Sequence, residues 1–256
     1  MALFTIKFLS DVLAMPGDLT VVLPDFAWGH AETPRFPVLY LLHGFAGDSM
    51  DFLRFTSIER FAWQKGIAVV MPSGYNSAYT DMYYGEDYFT YISQEVPRFV
   101  TSVLPISSKS EETYVCGCSM GGYGAMKWAM TCPESFSAVV SLSGSLHAED
   151  RLKGHSRNAG RQLNGIYGDP PTILTDTQDV FEMLKSNVDA GKKLPRMLLT
   201  CAEDDKPYLR AATQEFYDLA VSLGLSPKRI GGFGGHGYNY WDPQLPEVLD
   251  FCLKNK

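Results

Sequence analysis

The chain has 256 residues, 45% hydrophobic and 20% charged, with a formal net charge of −7. That length suits one large α/β domain, and the acidic balance, with no Lys/Arg cluster, argues against a nucleic-acid partner. No apolar run reaches the ~18–20 residues a membrane span needs. Five cysteines without a C-x-x-C pair indicate neither a disulfide framework nor a zinc site. The expected compartment is the reducing cytoplasm. The N-terminal Met1-Ala-Leu-Phe-Thr-Ile-Lys-Phe-Leu-Ser10 reads as a first strand and not as a secretory signal.

Residues 3–9 and 18–23 alternate like two antiparallel strands, with a turn expected at Met15-Pro16-Gly17. Residues 25–34 read as a polar loop. Pro37-Val-Leu-Tyr-Leu-Leu42 is a continuous apolar run, the pattern of a strand buried on both faces. It ends in His43-Gly-Phe-Ala-Gly47. A helix over 52–65 closes at Gly66, and Ile67-Ala-Val-Val-Met71 is a second buried strand. An aromatic, glycine-containing loop follows over 73–85, then helical periodicity over 88–103 despite Pro97. After Thr113-Tyr-Val-Cys-Gly-Cys118 come a helix over 123–130 and a strand over 136–143. Residues 144–175 are polar and irregular, an insert too long for a plain connection. A helix over 176–190 takes Asp176 as its N-cap. A strand over 195–201 and a helix over 207–223, begun by proline and ended by Gly224, follow. The chain closes with a strand over 228–233 and a helix over 244–253. Strands alternating with helices predict right-handed βαβ crossovers. The expected fold is α/β: a mostly parallel central sheet with antiparallel N-terminal strands and helices on both faces, in a single domain over 1–256.

Thr113 to Ala125 carries the chemistry. It reads as strand, sharp turn at Gly117-Cys118-Ser119-Met120-Gly121, and helix, the context that a G-x-S-x-G nucleophile elbow requires. Side chains at 117 and 121 would collide with neighbouring backbone, and glycine removes the Cβ. Charge developing near Ser119 would meet free N–H groups and the positive end of the helix dipole.

A serine hydroxyl needs a base to take its proton. Of five histidines, His236 alone follows a late strand, in Gly231-Gly-Phe-Gly-Gly-His-Gly-Tyr-Asn-Tyr-Trp241. The acid belongs after the preceding strand, in Cys201-Ala-Glu-Asp-Asp-Lys206. Asp205 is preferred and Asp204 stays open, since neighbouring residues point differently. One oxyanion donor is expected at the Met120 N–H and the other at Phe45 N–H, in the loop after the third strand. His43 suits a structural hydrogen bond in that loop better than a second base. It stands with Tyr84 and Trp241 among the substrate-pocket candidates. Tyr75, Tyr79, Tyr83 and Tyr240 are further aromatics that could wall a pocket. Glu95 could brace the active-site loops or equally be an exposed or core-satisfied helix glutamate, and Cys116 and Cys118 fit as small buried residues. The glycine run over 231–237 lacks the spacing of a phosphate cradle, so no cofactor or metal is expected.

These motifs together resemble the esterase D / putative esterase family of the α/β-hydrolases. The resemblance rests on Leu41-Leu-His-Gly-Phe-Ala-Gly47, Gly117-Cys-Ser-Met-Gly-Gly-Tyr-Gly124, the acid after Cys201, and Gly235-His-Gly-Tyr-Asn-Tyr-Trp241. It is nearest to small bacterial tributyrin-type carboxylesterases and covers nearly the whole chain. It implies Ser119 as nucleophile, His236 as base, Asp205 as orienter, and the Phe45 and Met120 amides as oxyanion donors. The chain departs from the family pattern at Ala202, Lys206-Pro207 and Gly237. The implied activity is cofactor-free hydrolysis of small-molecule, short-chain acyl esters. Alternatives are S-formylglutathione hydrolysis and deacylation of acetylated or feruloylated saccharides. The order of the motifs argues against a non-enzymatic binding module. A homo-oligomer is compatible with this composition.

Overall fold

The computed structural model describes residues 1–24, 35–147 and 159–254. The expected loop over 25–34 and the middle of the expected insert, 148–158, lie outside the described residues.

β1 (Ala2–Ser10) turns alternate residues to solvent, as its sequence dictates, and pairs antiparallel with β2 (Met15–Leu23). The turn falls at 11–14, with Ala14 at φ +52°, and not at Met15-Pro16-Gly17. Pro16 instead pairs with Leu9 where β2 has a neighbour on one side only, a place a strand tolerates for proline. Gly17 is needed because a Cβ there would lie 2.7 Å from the Tyr91 hydroxyl.

The sheet continues with β3 (Val38–Leu42), β4 (Ala68–Pro72), β5 (Thr113–Cys118), β6 (Ala138–Leu142), β7 (Arg196–Thr200) and β8 (Lys228–Ile230). Its order is β1-β2-β4-β3-β5-β6-β7-β8. β2 is antiparallel to β1 and β4, and the other pairs are parallel. Period-two alternation divides the core. Val38, Tyr40, Leu42, Val115 and Val139 face the helices Met120–Thr131, Val180–Asp189 and Pro207–Ser222. Leu39, Leu41, Cys116, Val140 and Leu198 face Ile58–Lys65 and Tyr238–Leu253. With both faces covered, these strands need no polar face, which is why they read as unbroken apolar runs. All the parallel strands point one way, so the loops after β3, β5, β6, β7 and β8 share one rim.

Several helices depart from the expected boundaries. The helix over 52–65 is two, Asp51–Phe55 and Ile58–Lys65, because the Asp242 carboxylate takes the Ser57 N–H at 2.7 Å and breaks the run. The run over 88–103 is continuous, with a π turn at Tyr91–Glu95 just before Pro97. Glu95 is buried and accepts from the Ser10 hydroxyl and the Asp11 amide, so it braces the β1–β2 turn and not the active-site loops. The helix over 176–190 is two, Thr175–Gln178 and Val180–Asp189, and the capping carboxylate is not Asp176 but Asp179, which starts the second and accepts from the Phe181 and Glu182 amides. Part of the expected irregular insert is the helix Ala159–Tyr167. The last strand stops at Ile230, and the last helix starts at Tyr238 with Pro243 and Pro246 inside it.

Candidate active site

β5 delivers Ser119 to the centre of the rim, between β3 and β6. Ser119 sits at φ +53°, ψ −114° and is the N-cap of Met120–Thr131. A non-glycine residue there stores roughly 1–3 kcal/mol, held by packing around it. The packing is unusually close. A Cβ on Gly117 would lie 2.2 Å from the Gly121 carbonyl oxygen, and one on Gly121 would lie 2.2 Å from that of Leu42. The Ser119 N–H donates to Leu142 O at 2.8 Å, and its carbonyl accepts from Ser145 N–H at 3.1 Å. The peptide groups on both sides of Ser119 are thus pinned to β6 and its loop.

The structure brings Ser119, His236 and Asp205 into one hydrogen-bonded line. His236 Nε2 lies 2.9 Å from Ser119 Oγ. Its Nδ1 lies 3.0 Å from Asp205 Oδ1 and 3.2 Å from Oδ2. The Asp205 carboxylate is fully enclosed, whereas the imidazole is 17% exposed. Burial alone would raise the Asp205 pKa. Hydrogen bonds from His236, Ser143 and the Lys206 amide and the attraction of the imidazole hold it below the ordinary aspartate value. Asp204, the open alternative, points to solvent and does another job. Its Oδ1 accepts from the Gly234 and Gly235 amides, both at 3.0 Å. Those two bonds hold its pKa low and clasp the loop that carries His236. The glycines adopt φ +143° and +66°, which lets the loop fold back over the acid.

The loop after β3 runs beside the serine, since a Cβ on Gly44 would lie 3.6 Å from that of Ser119. His43 fixes this loop from beneath. Its Nε2 accepts from the Gly74 N–H at 2.9 Å, so the proton of the neutral ring is on Nδ1, which donates to Gly44 O at 2.7 Å. The Gly47 N–H reaches the same oxygen at 3.3 Å. Because the peptide is planar and trans, holding Gly44 C=O aims the Phe45 N–H in the opposite direction. The Met120 N–H is a first-turn amide with no partner inside its helix. Phe45 and Met120 both border the cleft above Ser119. His43 itself is 1% exposed and lies under the loop. It is therefore not a pocket residue, contrary to the expectation.

Burial lowers the pKa of His43, and a proton on Nε2 would oppose the Gly74 N–H. The unfolded chain takes up a proton near the ordinary value of about 6.5, whereas the folded chain does so only at lower pH. His43 thus costs no stability above about pH 6.5, and stability falls as pH drops from there towards the folded value. His43→Gln, which keeps one donor and one acceptor, is expected to flatten that acid limb by about one proton. Urea unfolding from pH 5 to 8 of both proteins measures it; parallel limbs would exclude the effect.

The cleft above Ser119 encloses about 410 Å³. Trp241 lines it, packs edge-on against His236 with centroids 5.2 Å apart, and donates from its indole N–H to Ser143 Oγ at 3.2 Å. Tyr84 does not line it. The Tyr83 and Tyr84 amides bond to the Ile166 and Gly165 carbonyls, and Tyr84 is left 66% exposed against Tyr83. Tyr79 and Tyr240 are buried, and Tyr75 packs on Tyr88. The sequence reading missed Tyr238, Asp51 and the wall formed by Leu163, Ile166 and Tyr167. Tyr238 donates to Asp51 Oδ2 at 3.3 Å and stacks on Phe55. It follows His236 by two residues, and Pro243 hid the start of its helix. Cys116 and Cys118 are buried, which pushes both thiols up and leaves neither as a ready thiolate.

Residues 13–252 match the family model described as Putative esterase. The chain is 28% identical to the acetyl esterase of Caldicellulosiruptor saccharolyticus, over 99% of each chain. It superposes on substrate-bound FphF, a fluorophosphonate-binding serine hydrolase of Staphylococcus aureus, with a TM-score of 0.92 at 30% identity over 98% of each chain. The S-formylglutathione hydrolase FrmB of the same organism gives 0.89, also at 30% identity and 98% of each chain. The eight-stranded sheet, its rim and these matches have one reading: the chain belongs to the putative esterase family of the α/β-hydrolases and is a hydrolase of carboxylic esters.

Proposed function

We propose that this protein is a cytoplasmic serine carboxylesterase that cleaves short-chain acyl esters through an acyl-enzyme. The observation that carries the reading is the line Asp205–His236–Ser119, ending at a helix N-terminus on the floor of a cleft. Ser119 Oγ attacks the ester carbonyl carbon while His236 Nε2 takes its proton. Asp205 holds the imidazole by Nδ1 and stabilises the imidazolium. The carbonyl oxygen, now negative, accepts from the Met120 and Phe45 amides. Collapse expels the alcohol, which receives the proton from His236, and water repeats the sequence to free the acid. The five free cysteines suit a reducing compartment. Among the described residues, no helix is long and apolar enough to cross a membrane.

One observation favours a second substrate. The cleft is far larger than an acetyl group, and an S-formylglutathione hydrolase is among the similar structures. A panel of p-nitrophenyl acetate, butyrate and octanoate beside S-formylglutathione separates the two. The ester reading expects kcat/KM to be highest for acetate or butyrate and at least about tenfold lower for the thioester, a difference of about 1.4 kcal/mol in transition-state binding. A thioester preferred by that margin would replace it.

A further inference from the structure

Behind Ser119 lies a buried ammonium. Lys127 sits two turns along the helix that Ser119 caps and is 3% exposed. Its Nζ donates to Tyr79 O at 3.0 Å and to Thr80 Oγ1 at 3.2 Å, and rests 4.2 Å from the centroid of the Phe89 ring. Enclosing a charge that deeply is expensive unless its partners are fixed. What those partners fix is Tyr79.

Tyr79 is held at φ +49°, an uncommon conformation for a bulky residue. Its ring is wedged between two glycines: a Cβ on Gly124 would lie 2.5 Å from it, and one on Gly74 would lie 2.6 Å away. Gly124 is on the elbow helix, and Gly74 is the residue whose amide bonds His43. At the end of this wedge the Tyr79 hydroxyl donates to His43 O at 3.0 Å, wholly out of solvent. That carbonyl begins the His43-Gly44-Phe45 segment. The imidazole of His43 holds the next carbonyl, Gly44 O. Two successive peptide planes before the Phe45 N–H are therefore clamped, one by Tyr79 and one by His43.

We infer that Tyr79 and Lys127 are positioning residues for ester hydrolysis: Lys127, on the helix of the nucleophile, sets Tyr79, and the Tyr79 hydroxyl sets the His43 carbonyl, which aims the Phe45 amide at the oxyanion. Neither side chain touches substrate. The ammonium thus couples nucleophile helix and oxyanion loop as one rigid unit, where an error of about 1 Å can cost as much as 10²-fold in rate. The inference rests on the Ser119 and Phe45 roles proposed above.

The test is Tyr79→Phe, which keeps the ring in its wedge and removes the hydroxyl alone. It is expected to lower kcat for p-nitrophenyl acetate about tenfold, less than the ~10²–10³ of a lost oxyanion donor, with KM within about twofold. The second-order rate of fluorophosphonate labelling, whose transition state uses the same amides, is expected to fall in parallel. Lys127→Met is expected to act in the same direction, and to add less than twofold when placed on Tyr79→Phe, because it works through that residue. Both rates are taken per folded molecule, so lost stability alone does not move them. Wild-type kcat in Tyr79→Phe, with turnover in Ser119→Ala down by on the order of 10⁶, overturns this inference and leaves the esterase reading standing. Wild-type turnover in Ser119→Ala overturns the reading beneath it. If Lys127→Met does not fold, Tyr79→Phe decides alone.

Discussion

Ser119→Ala is expected to lower kcat for p-nitrophenyl acetate by on the order of 10⁶ while leaving the fold intact. The hydroxyl bonds to His236 Nε2 at 2.9 Å, and without it there is no acyl-enzyme. The strained backbone at φ +53° already carries a Cβ, so alanine introduces no clash. The helix N-terminus and the loop after β3 stay in place, so the variant retains the electrostatic part of the site, and a residue of turnover above the uncatalysed rate is expected. Thermal unfolding checks the fold, and a fluorophosphonate probe checks the nucleophile. Labelling at the wild-type rate, or wild-type turnover, would show that the bond is cut elsewhere.

Asp205→Asn is expected to cost about 10⁴ in kcat, and Asp204→Asn to stay within about tenfold of wild type. The two residues are adjacent and chemically identical, so the contrast isolates geometry. In Asp205→Asn the new side chain would present an amide to His236 Nδ1 and favour the tautomer with its proton on Nε2, which cannot accept from Ser119. Asp204→Asn would keep a carbonyl oxygen for the Gly234 and Gly235 amides and lose the charge alone. It loosens the His236 loop without touching the imidazole. Stopped-flow acylation with p-nitrophenyl acetate reads the step directly. Equal losses in the two variants, or the reverse order, would remove Asp205 from the role proposed for it.

The elements that were legible in the chain share one property: their pattern is set by what they bury. β3, β4, β5 and β6 are covered on both faces, and their apolar runs say so within a residue or two. Where the boundary depends on a distant partner, the pattern misleads. The 52–65 helix breaks because Asp242, 185 residues on in the chain, takes the Ser57 amide. The hairpin turn falls at 11–14, where the distant Glu95 takes the Ser10 hydroxyl and the Asp11 amide, and Gly17 stays in the strand with Tyr91 against it. The last helix begins six residues before the apolar pattern suggests. Its Tyr240, Trp241 and Leu245 are buried in the core on that face of the sheet, which outweighs Pro243 and Pro246.

The same division holds for the site. Gly117-Cys118-Ser119-Met120-Gly121 is legible by itself because the turn is local: its glycines answer to neighbours a few residues away and to the strand beside it. The order of serine, acid and histidine along the chain follows from the order of strands, which the alternation of β and α carries. Which of two adjacent aspartates meets the imidazole does not, since that depends on how a loop turns in three dimensions. The pocket walls were the least legible part. Tyr84 and Tyr238 are both aromatics in rim segments; one faces solvent, its amide and that of Tyr83 tied to the helix Ala159–Tyr167, and the other borders the cleft with its ring packed on Phe52. The fold and the glycine-flanked turn at Ser119 can be read from the chain itself, because they follow from local sterics and burial periodicity. Which aspartate meets the imidazole, which side chains wall the cleft and which buried bonds hold the loop after β3 are set by contacts between residues that only packing brings together.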